Sequence, residues 1–135
     1  MEILRRHARM EGLHELLEFV DAGALASGFP EQARGRIRLA SEEALVNVIL
    51  HAYHGVEGPV EVRWEKTAEP ALAIQIRDQG PAFDPLGMEA PDVSAGLAER
   101  KVGGLGIFFI REVTDRVRYH REGNENVLTL VFLAP

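Results

Sequence analysis

The chain is organised around the stretch Glu42-Glu43-Ala44-Leu45-Val46-Asn47-Val48-Ile49-Leu50-His51-Ala52-Tyr53-His54. Glu43, Asn47 and His51 follow one another at intervals of four residues, so on an α-helix their side chains lie along one narrow polar stripe. The positions beside the stripe are mostly apolar, which predicts a largely buried helix: Ile37, Ser41, Ala44, Leu45, Val48, Ile49 and Ala52. A carboxylate and an amide at the edge of a core need partners, because an unpaired buried polar group is costly.

Three interpretations of this polar stripe remain open from the residues alone. In the first, it is a helix flank that is hydrogen-bonded within the fold. In the second, Glu43 and Asn47 belong to a metal-and-substrate site. The third is a zinc site formed by His51 and His54, but two histidines do not complete such a site and the chain has no cysteine.

The composition is that of an ordinary globular domain, with 135 residues of which 46% are hydrophobic. A net charge of -6 opposes binding to nucleic acid, and we expect no nucleic-acid partner. The absence of cysteine excludes a disulfide framework, a cysteine-ligated metal centre and a thiol nucleophile. No signal peptide is visible, and no uncharged run approaches the ~18 residues of a membrane span. We therefore expect a cytoplasmic protein that does not bind a membrane.

The hydrophobic period changes along the chain from helical to alternating. It predicts helices at about 10–26, 31–53 and 105–114, and strands at about 2–6, 60–65, 72–77, 116–120 and 127–133. Helices come first and hairpins later, with one helix between the two hairpins. This order predicts an α+β two-layer sandwich, with the helices packed on one face of a mostly antiparallel mixed sheet.

Two glycine-containing turns are further candidates for a site. Asp78-Gln79-Gly80-Pro81 follows a predicted strand, although an acid before Gly-Pro is also common in a plain turn. Gly103-Gly104-Leu105-Gly106 leads into a helix whose free amides favour an anion, but it lacks the Lys-Ser/Thr of a P-loop. Between them, residues 86–102 show no period, which is typical of a functional loop such as a lid.

In this order the three motifs resemble those of the GHKL ATPase superfamily, and within it the small anti-sigma regulatory factors that have serine-kinase activity. The resemblance covers nearly the whole chain, and its strongest parts are Leu39–Asn47 with His51-Ala52-Tyr53, Ile76–Pro85, and Gly103–Val117. It implies the Bergerat ATP-binding fold, in a single domain that spans residues 1–135.

The resemblance also implies a role for several residues. Asn47 is expected to bind Mg²⁺ through its side-chain oxygen, the type of donor that this ion prefers. Glu43 is expected to orient or deprotonate the attacking hydroxyl. Asp78 would accept a hydrogen bond from the adenine amino group, and Gly80 would let the base approach closely.

Other residues are expected to contact the nucleotide elsewhere. Gly104 and Gly106 would offer backbone amides to the phosphates of ATP, with Leu105 between them and Thr129 on the last strand as further contacts. Lys101, with Arg100 beside it, is a candidate phosphate contact from the lid. One departure from the family is Ala82, which stands where members often have a second glycine.

The function implied by the resemblance is that of an ATP-dependent protein serine/threonine kinase and anti-sigma factor. Such a protein phosphorylates an anti-anti-sigma partner with a STAS domain, sequesters a sigma factor, and forms a homodimer through its first strand and helix. The alternative is a non-catalytic module in which nucleotide tunes affinity for a regulator. The detached catalytic domain of a histidine kinase fits less well, because no phosphoacceptor helix pair is visible.

Overall fold

The computed structural model describes residues 1–53, 57–67, 71–87 and 104–133, and describes side chains for all of these except 87 and 104–108. This part of the chain contains three α-helices, five β-strands and two short 3-10 helices, Met10–Gly12 and Pro85–Gly87. The helices are α1 (Leu13–Ala26), α2 (Glu31–His51) and α3 (Gly104–Val113), and the strands are β1 (Glu2–His7), β2 (Pro59–Lys66), β3 (Ala71–Asp78), β4 (Arg116–Glu122) and β5 (Glu125–Leu133).

The five strands form one sheet in the order β1-β2-β3-β5-β4. All of the strand pairings in the described residues are antiparallel. In the central pairing of β3 with β5, Asp78 lies opposite Asn126, and Gln75 lies opposite Thr129. This register decides which polar residues share a face of the sheet.

The three helices cover one face of the sheet, and α2 packs between α1 and α3. The core that they enclose consists of apolar side chains from α1, α2 and alternate positions of the strands: Leu16, Val20, Ile37, Leu45, Val62, Ile74, Ile76 and Leu130. On α2 the predicted buried face is confirmed for Ile37, Ser41, Ala44, Leu45 and Val48, whereas Ile49 and Ala52, assigned to the same face, are only partly buried. The α+β two-layer architecture predicted from the sequence is therefore confirmed.

The first helix ends in a Schellman motif that turns the chain towards α2. Gly28 has a φ of 82°, a conformation that a residue with a side chain rarely adopts. The N–H of Phe29 donates to the carbonyl of Ala24, and that of Gly28 donates to the carbonyl of Leu25. Phe29 is buried, so the motif also anchors the loop before Pro30, from which α2 begins.

The predicted elements differ from the observed ones only near their ends. The helix α2 ends at His51 rather than at Tyr53, and the first strand extends to His7, where it pairs with Pro59. Among the described residues, no helix is both long enough and apolar enough to cross a membrane.

Candidate functional site

The polar stripe of α2 is formed as predicted, with Glu43 and Asn47 one turn apart, or about 6 Å along the helix axis. Both side chains are partly buried. Neither makes a hydrogen bond or ion pair with another described residue. The described part of the fold therefore does not provide the partners that the first interpretation of the stripe requires.

Asp78 is the last residue of β3 and only 7% exposed, so its carboxylate depends on hydrogen bonds inside the protein. Oδ1 accepts one from the N–H of Gly80 at 2.9 Å and one from Nδ2 of Asn126 at 3.0 Å. No described residue donates to Oδ2. The strand end thus holds a carboxylate in a fixed orientation, with one oxygen left to accept a hydrogen bond from a ligand.

Gly80 lies against the C-terminal end of α2. A Cβ atom at this position would lie 3.1 Å from the Cβ of Ala52 and 2.6 Å from its carbonyl oxygen, and the second distance is shorter than real Cβ contacts reach. The glycine is therefore required by the close approach of the turn to α2. Through this contact the Asp78 turn lies next to the helix that carries Asn47 and Glu43.

Tyr53 connects the Asp78–Gly80 turn to the start of β2 through two hydrogen bonds. Its hydroxyl accepts a hydrogen bond of 2.6 Å from the N–H of Gln79 and donates one to the carbonyl of Pro59. Its ring packs against Gly58, where a Cβ would lie 2.1 Å from the ring. Burial raises the pKa of Tyr53, and the hydrogen bond from Gln79 lowers it by less. The hydroxyl therefore stays protonated and able to donate at neutral pH.

Asn126 of β5 fixes the segment that follows Asp78, on the side of the turn away from Tyr53. Its Nδ2 donates to the carbonyl of Pro81 at 3.0 Å, and its Oδ1 accepts from the N–H of Phe83 at 3.2 Å. Two side chains of β4 complete the network: the Tyr119 hydroxyl donates to Oδ1 at 2.6 Å, and Arg121 donates to it at 3.2 Å.

Asn126 lies outside the three sequence motifs and has no role predicted from them. The alternating pattern of β5 could have indicated a role for Asn126, because it is the polar member of a strand face that continues with Leu128, Leu130 and Phe132. A polar residue on the core face of a strand needs a buried partner, and here that partner is Asp78.

The predicted phosphate-binding turn is described only in part. Gly104, Leu105 and Gly106 form the first turn of α3, so their backbone N–H groups are at the positive end of the helix dipole. The helix α3 packs against α2, which carries Asn47 and Glu43. Lys101 and Arg100 lie outside the described residues, as does the predicted lid from position 88 onwards.

Thr129 does not lie with the other predicted site residues. It is three positions from Asn126 on β5, so its side chain is on the opposite face of the sheet from Asp78. There it contributes to a groove of about 460 Å³ with Ala73, Arg116 and Arg118. Strand alternation thus directs Thr129 away from the helical layer, and the structure does not bring it together with Asp78, Asn47 and Glu43.

A metal could be held by Asn47 with oxygen atoms of a ligand, in the manner usual for Mg²⁺. Within the described residues, no three His, Cys, Asp or Glu side chains cluster in a way that could hold a metal ion. His51 is the last residue of α2, and His54 lies outside the described residues. The described side chains thus suit an ion shared with phosphate better than a zinc site formed by protein alone.

Comparison with known proteins agrees with this arrangement. The family model of the histidine kinase-like ATPase domain matches residues 7–132. The chain belongs to this family. The resemblance inferred from the three sequence motifs is thereby confirmed.

Curated relatives of this histidine kinase-like ATPase domain include bacterial protein kinases. This chain is 30% identical over 125 residues to the serine-protein kinase RsbW of Listeria monocytogenes. The alignment covers 83% of this chain and 79% of the relative. The chain is 26% identical over 117 residues to the serine/threonine-protein kinase BtrW of Bordetella bronchiseptica, covering 86% of this chain and 82% of the relative.

Solved structures with a similar fold include the histidine kinase domain of the blue-light activated histidine kinase EL346 of Erythrobacter litoralis. The two folds superpose with a TM-score of 0.58 at 20% identity, over 89% of this chain and 60% of that domain. The likeness identifies the fold of this histidine kinase-like ATPase domain, and at this identity it identifies nothing further.

Proposed function

We propose that the chain binds ATP with Mg²⁺ in the region bounded by α2, the Asp78–Gly80 turn and the start of α3. The observation that carries the proposal is the Asp78 carboxylate, which is fixed through Oδ1 and receives no hydrogen bond on Oδ2 from a described residue. An acceptor of this kind suits the amino group of adenine.

The order of groups along α2 supports one orientation of the nucleotide, with the base at the C-terminal end of the helix and the phosphates towards its middle. The base would lie at the Asp78 turn, which contacts the C-terminal end of α2 through Gly80 and Ala52. Asn47 and then Glu43 follow towards the middle of the helix. Asn47 would hold the metal ion through its side-chain oxygen, and the amides of Gly104 and Gly106 would bind phosphate oxygens. When bound, the metal ion neutralises charge on the phosphates.

We further propose that the chain is a protein serine/threonine kinase. The oxygen of the substrate hydroxyl would form a bond to the γ-phosphorus as the bond to the β–γ bridging oxygen breaks, and ADP would leave. Glu43 would orient the hydroxyl and accept its proton, as a general base does. The curated relatives named above as serine-protein kinase and serine/threonine-protein kinase support this activity.

The partner that we propose is a STAS-domain anti-anti-sigma protein, and the second binding partner is a sigma factor. Both follow from the anti-sigma resemblance of the motifs. In this proposal the protein acts in the cytoplasm as a homodimer that forms through β1 and α1. β1 is at one edge of the sheet, where its outer backbone is free to pair, and Ile3 on it is 51% exposed.

Transfer of radiolabel from ATP to a candidate STAS protein tests the kinase proposal. We expect Glu43→Gln to keep ATP affinity within a few-fold and to lower phosphotransfer by about 10²-fold or more, as loss of a general base does. Glu42→Gln is the matched control, because Glu42 is adjacent on α2 and is assigned no role. Unchanged transfer in Glu43→Gln would remove Glu43 from this role.

The alternative function, a module in which nucleotide only tunes affinity for a regulator, requires the same pocket. The absence of a bond from Glu43 to any described residue fits a base waiting for a substrate, and therefore favours the kinase. Nucleotide binding by the wild type without any transfer of label to STAS partners would favour the module instead.

A further inference from the structure

The amide of Asn126 can adopt only one orientation in this network. Its Nδ2 carries two hydrogens, one directed to Oδ1 of Asp78 and the other to the carbonyl of Pro81, with a longer contact of 3.4 Å to the carbonyl of Gly80. Its Oδ1 accepts from three donors, as described above. Rotation of the amide by half a turn would direct its hydrogens at the N–H of Phe83 and the guanidinium of Arg121, which can only donate, and would leave the carboxylate without its donor.

This fixed orientation determines what Asp78 can offer to a ligand. A donor held against Oδ1 prevents the plane of the carboxylate from rotating. Oδ2 therefore has one fixed direction, in which it can accept a hydrogen bond. Adenine carries an amino group at position 6 of the purine and can donate to it. Guanine and hypoxanthine carry a carbonyl there, which would bring two acceptors together.

We propose that Asn126 is the positioning residue through which the site selects adenine over purines with a 6-carbonyl group. This inference rests on the proposed nucleotide binding, and it assigns to β5 a part in base recognition that none of the sequence motifs contains. Asn126 acts through Asp78 and does not itself contact the base. The residue is only 7% exposed, which is consistent with an indirect role.

The register of the sheet explains why this residue can control the carboxylate. Asn126 and Asp78 are directly paired across β5 and β3, so their side chains lie on the same face. The two strands are central in the sheet, with β2 and β4 outside them. A donor fixed to this rigid framework holds the acceptor more accurately than one on a loop.

The test is the ratio of the dissociation constants of ITP and ATP, measured by titration calorimetry with Mg²⁺ for the wild type and for Asn126→Asp. The variant keeps the size of the side chain and the oxygen that accepts from Tyr119, Phe83 and Arg121. It replaces the donor to Asp78 with a second oxygen. That oxygen does not donate to Oδ1, so the plane of the Asp78 carboxylate is no longer fixed and the hydrogen bond between Oδ2 and the 6-amino group weakens, whereas ITP has no such bond to lose. We expect the ratio to fall by about tenfold or more.

Two further variants make the result decisive. Arg118→Gln is the matched control, because Arg118 is on the same hairpin, points to the opposite face and bonds to no described residue; its ratio should equal that of the wild type. Tyr119→Phe removes only one hydroxyl donor to the amide, and we expect a fall of a few-fold. If circular dichroism shows that Asn126→Asp does not fold, Tyr119→Phe is the variant that tests the proposal.

The proposal would be overturned if folded Asn126→Asp had the same ratio of ITP and ATP dissociation constants as the wild type. If Asn126→Asp does not fold, an unchanged ratio in Tyr119→Phe would overturn it instead. Loss of affinity for both nucleotides by the same factor would also overturn it, because that is the result of a purely structural role. If the wild type binds neither ATP nor ITP, the proposed nucleotide binding is wrong. If it binds ATP but the ratio does not respond to the variants, only the role of Asn126 is wrong.

Discussion

Oδ1 of Asp78 accepts a hydrogen bond from the backbone N–H of Gly80, two residues further along the chain, at 2.9 Å. This short-range bond joins the acid and the glycine of one sequence motif into a single turn. Because Asn126 donates to the same oxygen, the free oxygen of the carboxylate has one fixed direction.

We expect Asp78→Asn to lower ATP affinity by about 10- to 100-fold and ITP affinity by much less. The amide oxygen can keep both protein hydrogen bonds, while the amide nitrogen replaces Oδ2. A charge-assisted hydrogen bond to the adenine amino group is lost, and such bonds contribute roughly 1.5–3 kcal/mol. Titration calorimetry with the two nucleotides measures the difference. Equal losses for both would show that Asp78 does not contact the base.

Gly80→Ala should destabilise the fold by about 1–3 kcal/mol, since the added methyl group overlaps the carbonyl of Ala52. Urea denaturation monitored by circular dichroism measures the free energy of unfolding. The matched control is Gly35→Ala on α2, where a Cβ meets nothing within 4 Å. That change should stabilise the protein by roughly 0.5–1 kcal/mol, because alanine favours a helix more than glycine does. A neutral effect at both positions would contradict the packing described for the turn.

The ion pair between Glu122 and Arg77 should make stability depend on pH in the acid range. The hydrogen bond from Arg77, 2.9 Å long, lowers the pKa of Glu122. A carboxyl group with a lowered pKa stabilises the fold fully above its unfolded-state pKa of about 4.3, and the stabilisation is lost as the pH falls through the folded-state pKa.

Glu122→Gln should therefore be less stable than the wild type at neutral pH, and the difference should shrink as the pH falls below about 4. Denaturation at a series of pH values measures it. Glu112→Gln controls for the loss of a charge, since Glu112 is exposed and forms no ion pair with a described residue. A difference that stays constant through the acid range would show that the pair does not stabilise the fold.

Thr129→Val tests the face of the sheet on which Thr129 lies. Its hydroxyl is buried and finds no hydrogen-bond partner among the described residues. Valine has nearly the same shape and removes this unpaired group, so we expect the free energy of unfolding to rise by up to about 1 kcal/mol. The affinity for ATP should not change, because Thr129 faces away from Asp78. A loss of ATP affinity would return Thr129 to the nucleotide site.

The local patterns in the sequence were sufficient to predict most of the fold. The helical period of α2 predicted its buried face and the stripe of Glu43 and Asn47, because both depend only on residues within a few turns. The position of Asp78 at a strand end was predicted for the same reason. The matching family model confirms the resemblance that joined these motifs.

The details that were missed depend on the pairing of distant segments. Asn126 and Asp78 are 48 positions apart, and their contact follows from the register of β3 with β5, which no local period fixes. The same register directs Thr129 to the opposite face. The approach of Ala52 to Gly80 depends on how α2 packs on the sheet, so the sequence could indicate a glycine there without giving this cause.

The most direct test of the central claim is titration calorimetry of ATP into the purified protein, with Mg²⁺ or with EDTA, for the wild type and Asn47→Ala. Asn124→Ala, in the β4–β5 turn, is the matched control. We expect a dissociation constant of micromolar order, about 8 kcal/mol of binding free energy, that weakens without Mg²⁺ and in Asn47→Ala but not in Asn124→Ala. No binding of ATP under any condition would contradict a nucleotide site on this fold.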